Sequence, residues 1–309
     1  MLIVMDIPQK TATMSSLKLV EERMTIIRKS KNGEDSGKIM IDRICISINN
    51  RCNLSCRYCH FHEKGKIEAV DMDVFEILDN VKKYAGDKFK IGFVGNGECF
   101  LDWPLLKSCI SYLEDSPNIS TYTITNGTVN LTESDWKFLE DHKINVGFSI
   151  DGYRELHNLN RCDSFDRAME TVEYYKQVTG HYPTFNATVG RDSLENADRV
   201  IAFFKPFSTR VTFSRMIGRY GISLQEYRDF LDNAEKEIPV RRGGNDCTMY
   251  GGQCGSGINN YFFTNGKVYY CGNCIDLPPI GSSGIPFEKL EKITLDFDRN
   301  YCYKEFVCE

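Results

Sequence analysis

The sequence predicts an α/β protein built on a parallel sheet and followed by a small cysteine-rich hairpin region. Three observations carry this reading. Between residue 43 and about residue 240, six strand-like segments alternate with six amphipathic segments. Alternation this strict implies parallel strands joined by right-handed helical crossovers. Polar side chains recur where each strand ends, and beyond residue 240 the rhythm gives way to clustered cysteines. The expected divisions are an N-terminal extension over 1–40, the α/β unit over 41–240 and a cysteine-rich unit over 241–309.

The elements follow in order. The first forty residues are polar and weakly periodic. RICISI (43–48) reads as a strand, and DMDVFEILDNVKKYAG (71–86) as an amphipathic helix stopped by glycine. FKIGFV (89–94) is a strand, and PLLKSCISYLED (104–115) a helix opened by proline. STYTIT (120–125) pairs with TESDWKFLEDH (132–142), a helix with its own cap. INVGFSI (144–150) leads to SFDRAMETVEYYKQV (164–178), and PTFNATV (183–189) to SLENADRVIAFF (193–204). TRVTFS (209–214) and SLQEYRDFLDNAEKEI (223–238) close the series. A doubly wound sheet and a curved open barrel both satisfy this pattern. After it, NYFF and VYYC flank Thr264-Asn265-Gly266-Lys267, a strong hairpin signal. No solenoid repeat or low-complexity tract interrupts the chain.

Composition narrows the function. The 309 residues are 41% hydrophobic, enough for a packed core, and carry a net charge of −5, which argues against a nucleic-acid or membrane-surface binder. No apolar run approaches the ~20 residues that span a bilayer, and the start lacks a basic signal-peptide region, so a cytoplasmic protein is expected. Thirteen cysteines are many for a reducing compartment, where clustered thiols serve metals or catalysis rather than disulfides. Cys45, Cys99, Cys109 and Cys162 are scattered, and they read as buried small hydrophobes.

RCNLSCRYCH (51–60) sets Cys52, Cys56 and Cys59 on the loop after the first strand. In parallel α/β folds the reactive groups lie at the carboxyl ends of strands. Three thiolates on a four-iron cubane leave one iron without a protein ligand, free to bind substrate nitrogen and oxygen. The competing reading is zinc, with His60 or His62 as fourth ligand. GNGEC (95–99), TNG (125–127) and SIDG (149–152) end the next three strands, and Arg215 ends the sixth.

At these residues the chain resembles the radical S-adenosylmethionine (radical SAM) superfamily over about 43–240, with Tyr58 before the last cysteine in keeping. The resemblance implies a partial (β/α)6 barrel with a 4Fe–4S cluster on Cys52, Cys56 and Cys59. Its open iron would chelate S-adenosylmethionine, whose reductive cleavage gives a 5′-deoxyadenosyl radical. It also implies Glu98, beside Gly97, for the methionine ammonium. Ser149 and Asp151 would serve the ribose or the carboxylate, Thr125 and Asn126 the family's TNG turn, and Arg215 the carboxylate. Cys99 stands where the family pattern has proline.

The C-terminal region looks like a SPASM/Twitch extension, in which Cys254, Gly266 and Cys271 match the first half of the pattern. The second half is short, so one auxiliary 4Fe–4S cluster is expected on Cys254, Cys271 and two of Cys247, Cys274, Cys302 and Cys308. A zinc ribbon is the alternative. SIDGYRELHNLNR (149–161) and SFDRAM are most similar to peptide- and protein-modifying members of the group. The expected activity is maturation of a ribosomal peptide by thioether or carbon–carbon crosslinking, or by epimerisation. Epimerisation would require a hydrogen donor such as Cys162 or a spare C-terminal cysteine. Sulfatase maturation ranks lower, because Gly272 stands where those enzymes carry aspartate. A Twitch-type dehydrogenase of a small alcohol such as an aminocyclitol, and a metal-binding module without SAM chemistry, are the competing readings. The expected partners are a peptide substrate and an electron donor of flavodoxin or ferredoxin type, with neither nucleic acid nor membrane.

Overall fold

The computed structural model describes residues 41–59, 61, 72–242, 246–290, 298–302 and 305. The extension over 1–40 lies outside the described residues, as do His60, His62 and Cys308. Six parallel strands stand side by side in chain order: β1 (Arg43–Ile46), β2 (Phe89–Phe93), β3 (Ile119–Thr125), β4 (Asn145–Ser149), β5 (Thr184–Val189) and β6 (Val211–Arg215). A doubly wound sheet needs a switch point where strand order reverses. None occurs in this series, and the curved open barrel is the architecture found.

Period-two alternation gives the sheet two unlike faces. Ile44, Ile91, Phe93, Phe148 and Phe185 are fully buried on the convex side, each contributing about 1.5–3 kcal/mol of hydrophobic stabilisation. Cys45, Lys90 and Tyr122 take the concave side. A Cβ on Gly92 would lie 2.4 Å from the Tyr122 ring, so only glycine lets that ring cross β2 to reach Cys45.

The crossovers are α1 (Val74–Tyr84), α2 (Trp103–Tyr112), α3 (Glu133–Asp141), α4 (Arg154–Arg161), α5 (Phe165–Thr179), α6 (Arg191–Glu195), α7 (Ala197–Phe204) and α8 (Leu224–Ala234). Three of their starts are set by side-chain caps: Asp73 for α1, and reciprocal capping boxes at Thr132–Asp135 for α3 and Ser223–Glu226 for α8. Trp136 on α3 is fully buried and packs against Phe100, Phe148 and Tyr175, tying helix to sheet.

Three features depart from the sequence expectation. Helix α4 appears where no element was expected, in a stretch with few apolar residues. The helix expected over 193–204 is two, broken where the Asn196 side chain bonds back to the Asp192 carbonyl at 3.0 Å. The hairpin forms as expected, β7 (Asn260–Thr264) and β8 (Lys267–Tyr269), around Asn265 and Gly266 at φ 51° and 66°. It is not separate from the barrel, however. Strand β7 pairs parallel to β1 from Arg43↔Asn260 to Ile46↔Phe263, and β9 (Gly281–Ser282) extends the same sheet. The short helix α9 (Phe287–Leu290) packs its Phe287 on Tyr84 and Phe89. Among the described residues no helix is long and apolar enough to cross a membrane.

Candidate functional site

The carboxyl rim of the sheet is where the expected residues gather, and its loops are laced by hydrogen bonds. Ser47 Oγ accepts from Asn96 N at 2.9 Å, and Glu98 N donates to Arg51 O at 2.8 Å. A Cβ on Gly97 would sit 2.4 Å from Arg51 O, so glycine is what lets the loop after β2 press against the cysteine loop. The Glu98 carboxylate is 3% exposed and caps the turn at Cys99–Asp102. It accepts from Phe100 N at 3.1 Å, Thr125 Oγ1 at 2.9 Å and Asn126 N at 2.7 Å. Burial raises its pKa, and the bonds from Asn126, Phe100 and Thr125 oppose the rise. The sequence reading gave this carboxylate to a ligand ammonium. Here it fixes the loops after β2 and β3, and the three bonds it accepts leave a carboxylate further acceptor capacity. Thr125 is drawn into the same network, whereas Asn126 faces Asn53 at 2.8 Å and Cys52 Sγ at 4.0 Å.

Asp151 is held from several sides. It is 1% exposed and has no open face. Its Oδ2 accepts from Tyr58 OH at 2.9 Å and lies 3.1 Å from Arg161 Nε, while Oδ1 accepts from Thr188 N at 3.0 Å. Tyr58 thereby ties the cysteine loop to the end of β4, with the Arg161 guanidinium 5.4 Å over its ring. Next to Asp151, His157 accepts from the Asp151 amide through Nδ1 and donates to Ser164 Oγ at 3.0 Å. Burial pulls its pKa down to about 4, so the ring is neutral.

Arg161, the last residue of α4, is the group that sequence reasoning missed. It is 8% exposed, and burial works against its charge, but Asp151 and Tyr58 outweigh that and drive its pKa up. Among the described residues its two terminal nitrogens make no hydrogen bond. Cys56 feels the same cation: burial pushes that thiol up to about 12, and Arg161 pulls against it. The one cue in the sequence was an arginine closing the short stretch after SIDG. Arg215, which was expected to take this part, is committed elsewhere: it donates to Ile222 O at 3.0 Å and pairs with Glu305 at 2.6 Å. Ser149 is 8% exposed at the end of β4, and among the described residues its hydroxyl has no hydrogen-bond partner.

The five described C-terminal cysteines, Cys247, Cys254, Cys271, Cys274 and Cys302, lie in one region. Cys271 Sγ lies 3.4 Å from Cys274 Sγ, and the Cys274 thiol draws the Cys271 pKa down to about 7 while its own is raised. Burial pushes Cys247 up, with Cys302, Cys271 and Cys254 adding to the rise, and the last three raise Cys274 as well. The chain segments are clamped by Cys254 N to Arg299 O and by Arg299 Nε to Cys254 O, both at 2.7 Å. Of the scattered cysteines, Cys99 and Cys109 are buried as expected. Cys162 is exposed at φ 55°, its thiol donating to Ser55 O at 2.9 Å within the cysteine loop.

The donor set suits an iron–sulfur cluster and a zwitterionic ligand. Three thiols share one loop, the buried Arg161 guanidinium meets Asp151 through Nε and makes no hydrogen bond through its terminal nitrogens among the described residues, and Asn96 Oδ1 is buried without a partner. Among the described residues no three His, Cys, Asp or Glu side chains close on a single metal ion. A cubane does not ask them to, since each thiolate takes its own iron.

Fold and rim together define an open (β/α)6 barrel whose carboxyl end carries a three-cysteine loop. The chain belongs to the radical SAM superfamily, which its sequence matches over residues 46–204, just over half its length. Members of that superfamily use S-adenosylmethionine and a 4Fe–4S cluster. The chain is 27% identical over 209 residues to the cysteine-type anaerobic sulfatase-maturating enzyme of Clostridium perfringens, a match covering 59% of this chain and 56% of that protein. It is 21% identical over 290 residues to the radical SAM cyclopropyl synthase TigE of Paramaledivibacter caminithermalis, covering 77% and 60%. It thus spans a little over half the length of the curated relatives it matches. In fold it is similar to anSMEcpe with bound AdoMet, at TM-score 0.66 and 22% identity over 86% of this chain and 82% of that one. It is also similar to Streptococcus suis SuiB bound to the precursor peptide SuiA, at TM-score 0.65 and 14% identity over 94% and 73%.

Proposed function

We propose that the protein is a cytoplasmic radical SAM maturase that modifies a ribosomally made peptide. A 4Fe–4S cluster on Cys52, Cys56 and Cys59, with S-adenosylmethionine on its open iron, supplies the 5′-deoxyadenosyl radical. Arg161 binds the methionine carboxylate, because a buried guanidinium with open terminal nitrogens is suited to a bidentate partner. Asp151 holds Arg161 in place and, through Tyr58, keeps the cysteine loop against β4. The Ser149 hydroxyl and the Asn126 amide line the rim for the nucleoside, with Glu98 and Gly97 setting the loop above them.

The observation that carries the reading beyond the superfamily is the second thiol set. Cys247, Cys254, Cys271, Cys274 and Cys302 lie in one region beside the barrel, and we assign Cys254, Cys271 and two of the others to one auxiliary 4Fe–4S cluster. The relatives in hand include one seen with a precursor peptide and another named for sulfatase maturation, which supports a peptide substrate. Electrons must come from a carrier of flavodoxin or ferredoxin type.

Anaerobic reconstitution with iron and sulfide counting tests this. Roughly eight irons per chain are expected, two cubane clusters. Incubation with S-adenosylmethionine, a reductant and the peptide encoded beside the gene should give 5′-deoxyadenosine and a changed peptide mass. Cys56→Ala should abolish cleavage, whereas Cys271→Ala should spare cleavage and lose the peptide product. Deoxyadenosine from Cys56→Ala would sink the first assignment, and oxidation of a small alcohol with the peptide untouched would sink the second.

A further inference from the structure

Four cations converge on the concave face at the end of the sheet away from the cysteine loop. Arg43 and Lys90 are register partners on β1 and β2, and Lys90 Nζ lies 4.9 Å over the Tyr122 ring. Arg210 immediately precedes β6, and Arg241 N donates to Val211 O at 2.9 Å, which brings the other two to the opposite side of the same opening. Burial, followed by Arg241, Arg43 and Arg210, pushes the Lys90 pKa down to about 8. Burial, Arg210 and Arg43 lower Arg241 in the same way. Like charges set side by side on a sheet cost stability.

Several arginines of the fold are compensated. Arg57, Arg161, Arg191 and Arg215 each hold a carboxylate. Lys90, Arg210 and Arg241 hold none among the described residues. The acids nearby are Asp42 and Asp246, grouped at Arg43, while Tyr122, Tyr250 and Cys45 are neutral. Among the described residues the opening therefore holds three cations, Lys90, Arg210 and Arg241, without a carboxylate partner.

We propose that this opening is the docking face for an acidic electron-carrier protein, a ferredoxin in chemistry, held by Lys90, Arg210 and Arg241. An extended partner suits the geometry better than a small anion. The cations come from elements spread across the sheet, and Arg210 is exposed while the others are half-buried. The position suits electron transfer as well. Cys247 opens the turn at Thr248–Tyr250, which packs on β6 just after Arg210, so a protein seated here approaches the segment that carries Cys247. Its purpose rests on the auxiliary-cluster reading, but the docking is read independently as binding.

The test uses the reconstituted holoenzyme and an oxidised bacterial ferredoxin, with affinity measured at about 0.02 M and 0.3 M salt, where screening lengths differ severalfold. Wild type should bind and weaken steeply with salt. Lys90→Met/Arg210→Glu/Arg241→Gln should lose affinity roughly tenfold or more, with unchanged deoxyadenosine formation when dithionite is the reductant. Arg210→Glu alone, an exposed change that leaves the interior intact, should lose severalfold. Equal binding by wild type and Arg210→Glu overturns the proposal. So does loss of an acidic substrate-peptide's binding in the triple variant with ferredoxin binding intact. If wild type holds only four irons yet ferredoxin still docks through these cations, the docking stands and the auxiliary-cluster assignment fails.

Discussion

Arg215 Nη2 and Glu305 Oε1 form an ion pair of 2.6 Å, and the same oxygen accepts the Cys302 amide at 2.8 Å. One carboxylate thus joins the end of β6 to the backbone of a cysteine in the auxiliary set. The Arg215 side chain is 4% exposed and that of Glu305 is 24%, so the pair is mostly desolvated. Glu305→Ala leaves a buried guanidinium uncompensated and frees the Cys302 backbone. The expected cost is about 1–3 kcal/mol, below the 3–5 kcal/mol of a fully buried pair because Glu305 is partly wet. A lower anaerobic melting temperature and selective loss of auxiliary iron should result. Retention of all iron would show that the bridge does not organise that site.

Arg161 should control S-adenosylmethionine affinity. Charge-assisted bonds contribute about 1.5–3 kcal/mol, so Arg161→Gln should raise the ligand's Kd on the order of tenfold to a hundredfold. The single change also strands Asp151 without its cation, and loss of folding would confuse the result. Asp151→Asn/Arg161→Gln removes both charges, and this pair should recover thermal stability without recovering affinity. Binding at wild-type strength by the double variant would return the carboxylate to another residue.

Much of this architecture was legible because period-two and period-3.6 patterns are local. Six strands and their helices follow from them, and Asn265-Gly266 announces its own turn. Pattern does not report who pairs with whom. Nothing in NYFF says that it will lie parallel to β1, more than two hundred residues earlier in the chain. Helix α4 was invisible for the opposite reason: RELHNLNR offers Leu156 and Leu159 as its only aliphatic residues, too few to draw a stripe. Arg161 was lost with it. Arg215, Glu98 and Asp151 stood at the right strand ends, but strand position does not reveal which neighbours hold a charged group in place.

His157 makes stability fall with acid. Its pKa is about 4 in the folded chain and near 6.5 when unfolded, so the unfolded state binds the extra proton first. The contribution is fully present above pH 6.5 and is lost as pH falls from there through 4. Over the whole window the loss is about 3 kcal/mol. His157→Gln, which retains hydrogen-bonding capacity without a titratable ring, should show a shallower decline in melting temperature between pH 6.5 and 4.5. Parallel pH profiles for the two proteins would rule out His157 as the titrating group.

Gly97→Ala tests whether the loop after β2 positions the cysteine loop. The added methyl would meet Arg51 O at 2.4 Å, with Asn49 Oδ1 at 2.6 Å, and backbone cannot yield as a side-chain tip does. One of the two loops must move. The hydrogen bonds from Glu98 N to Arg51 O and from Asn49 Nδ2 to Glu98 O run between those same loops, so the displacement breaks the lacing beside Cys52. The fold itself should survive, because the convex core lies on the other face of the sheet. The expected result is a circular dichroism spectrum and auxiliary iron like wild type, with iron on the first site and deoxyadenosine formation both reduced. Gly180→Ala is the control: its Cβ meets nothing within 4 Å, although its φ of 84° carries a backbone penalty of about 1 kcal/mol. It should lower stability slightly and leave both iron sites filled, and equal iron loss in the two variants would remove Gly97 from the account of the site.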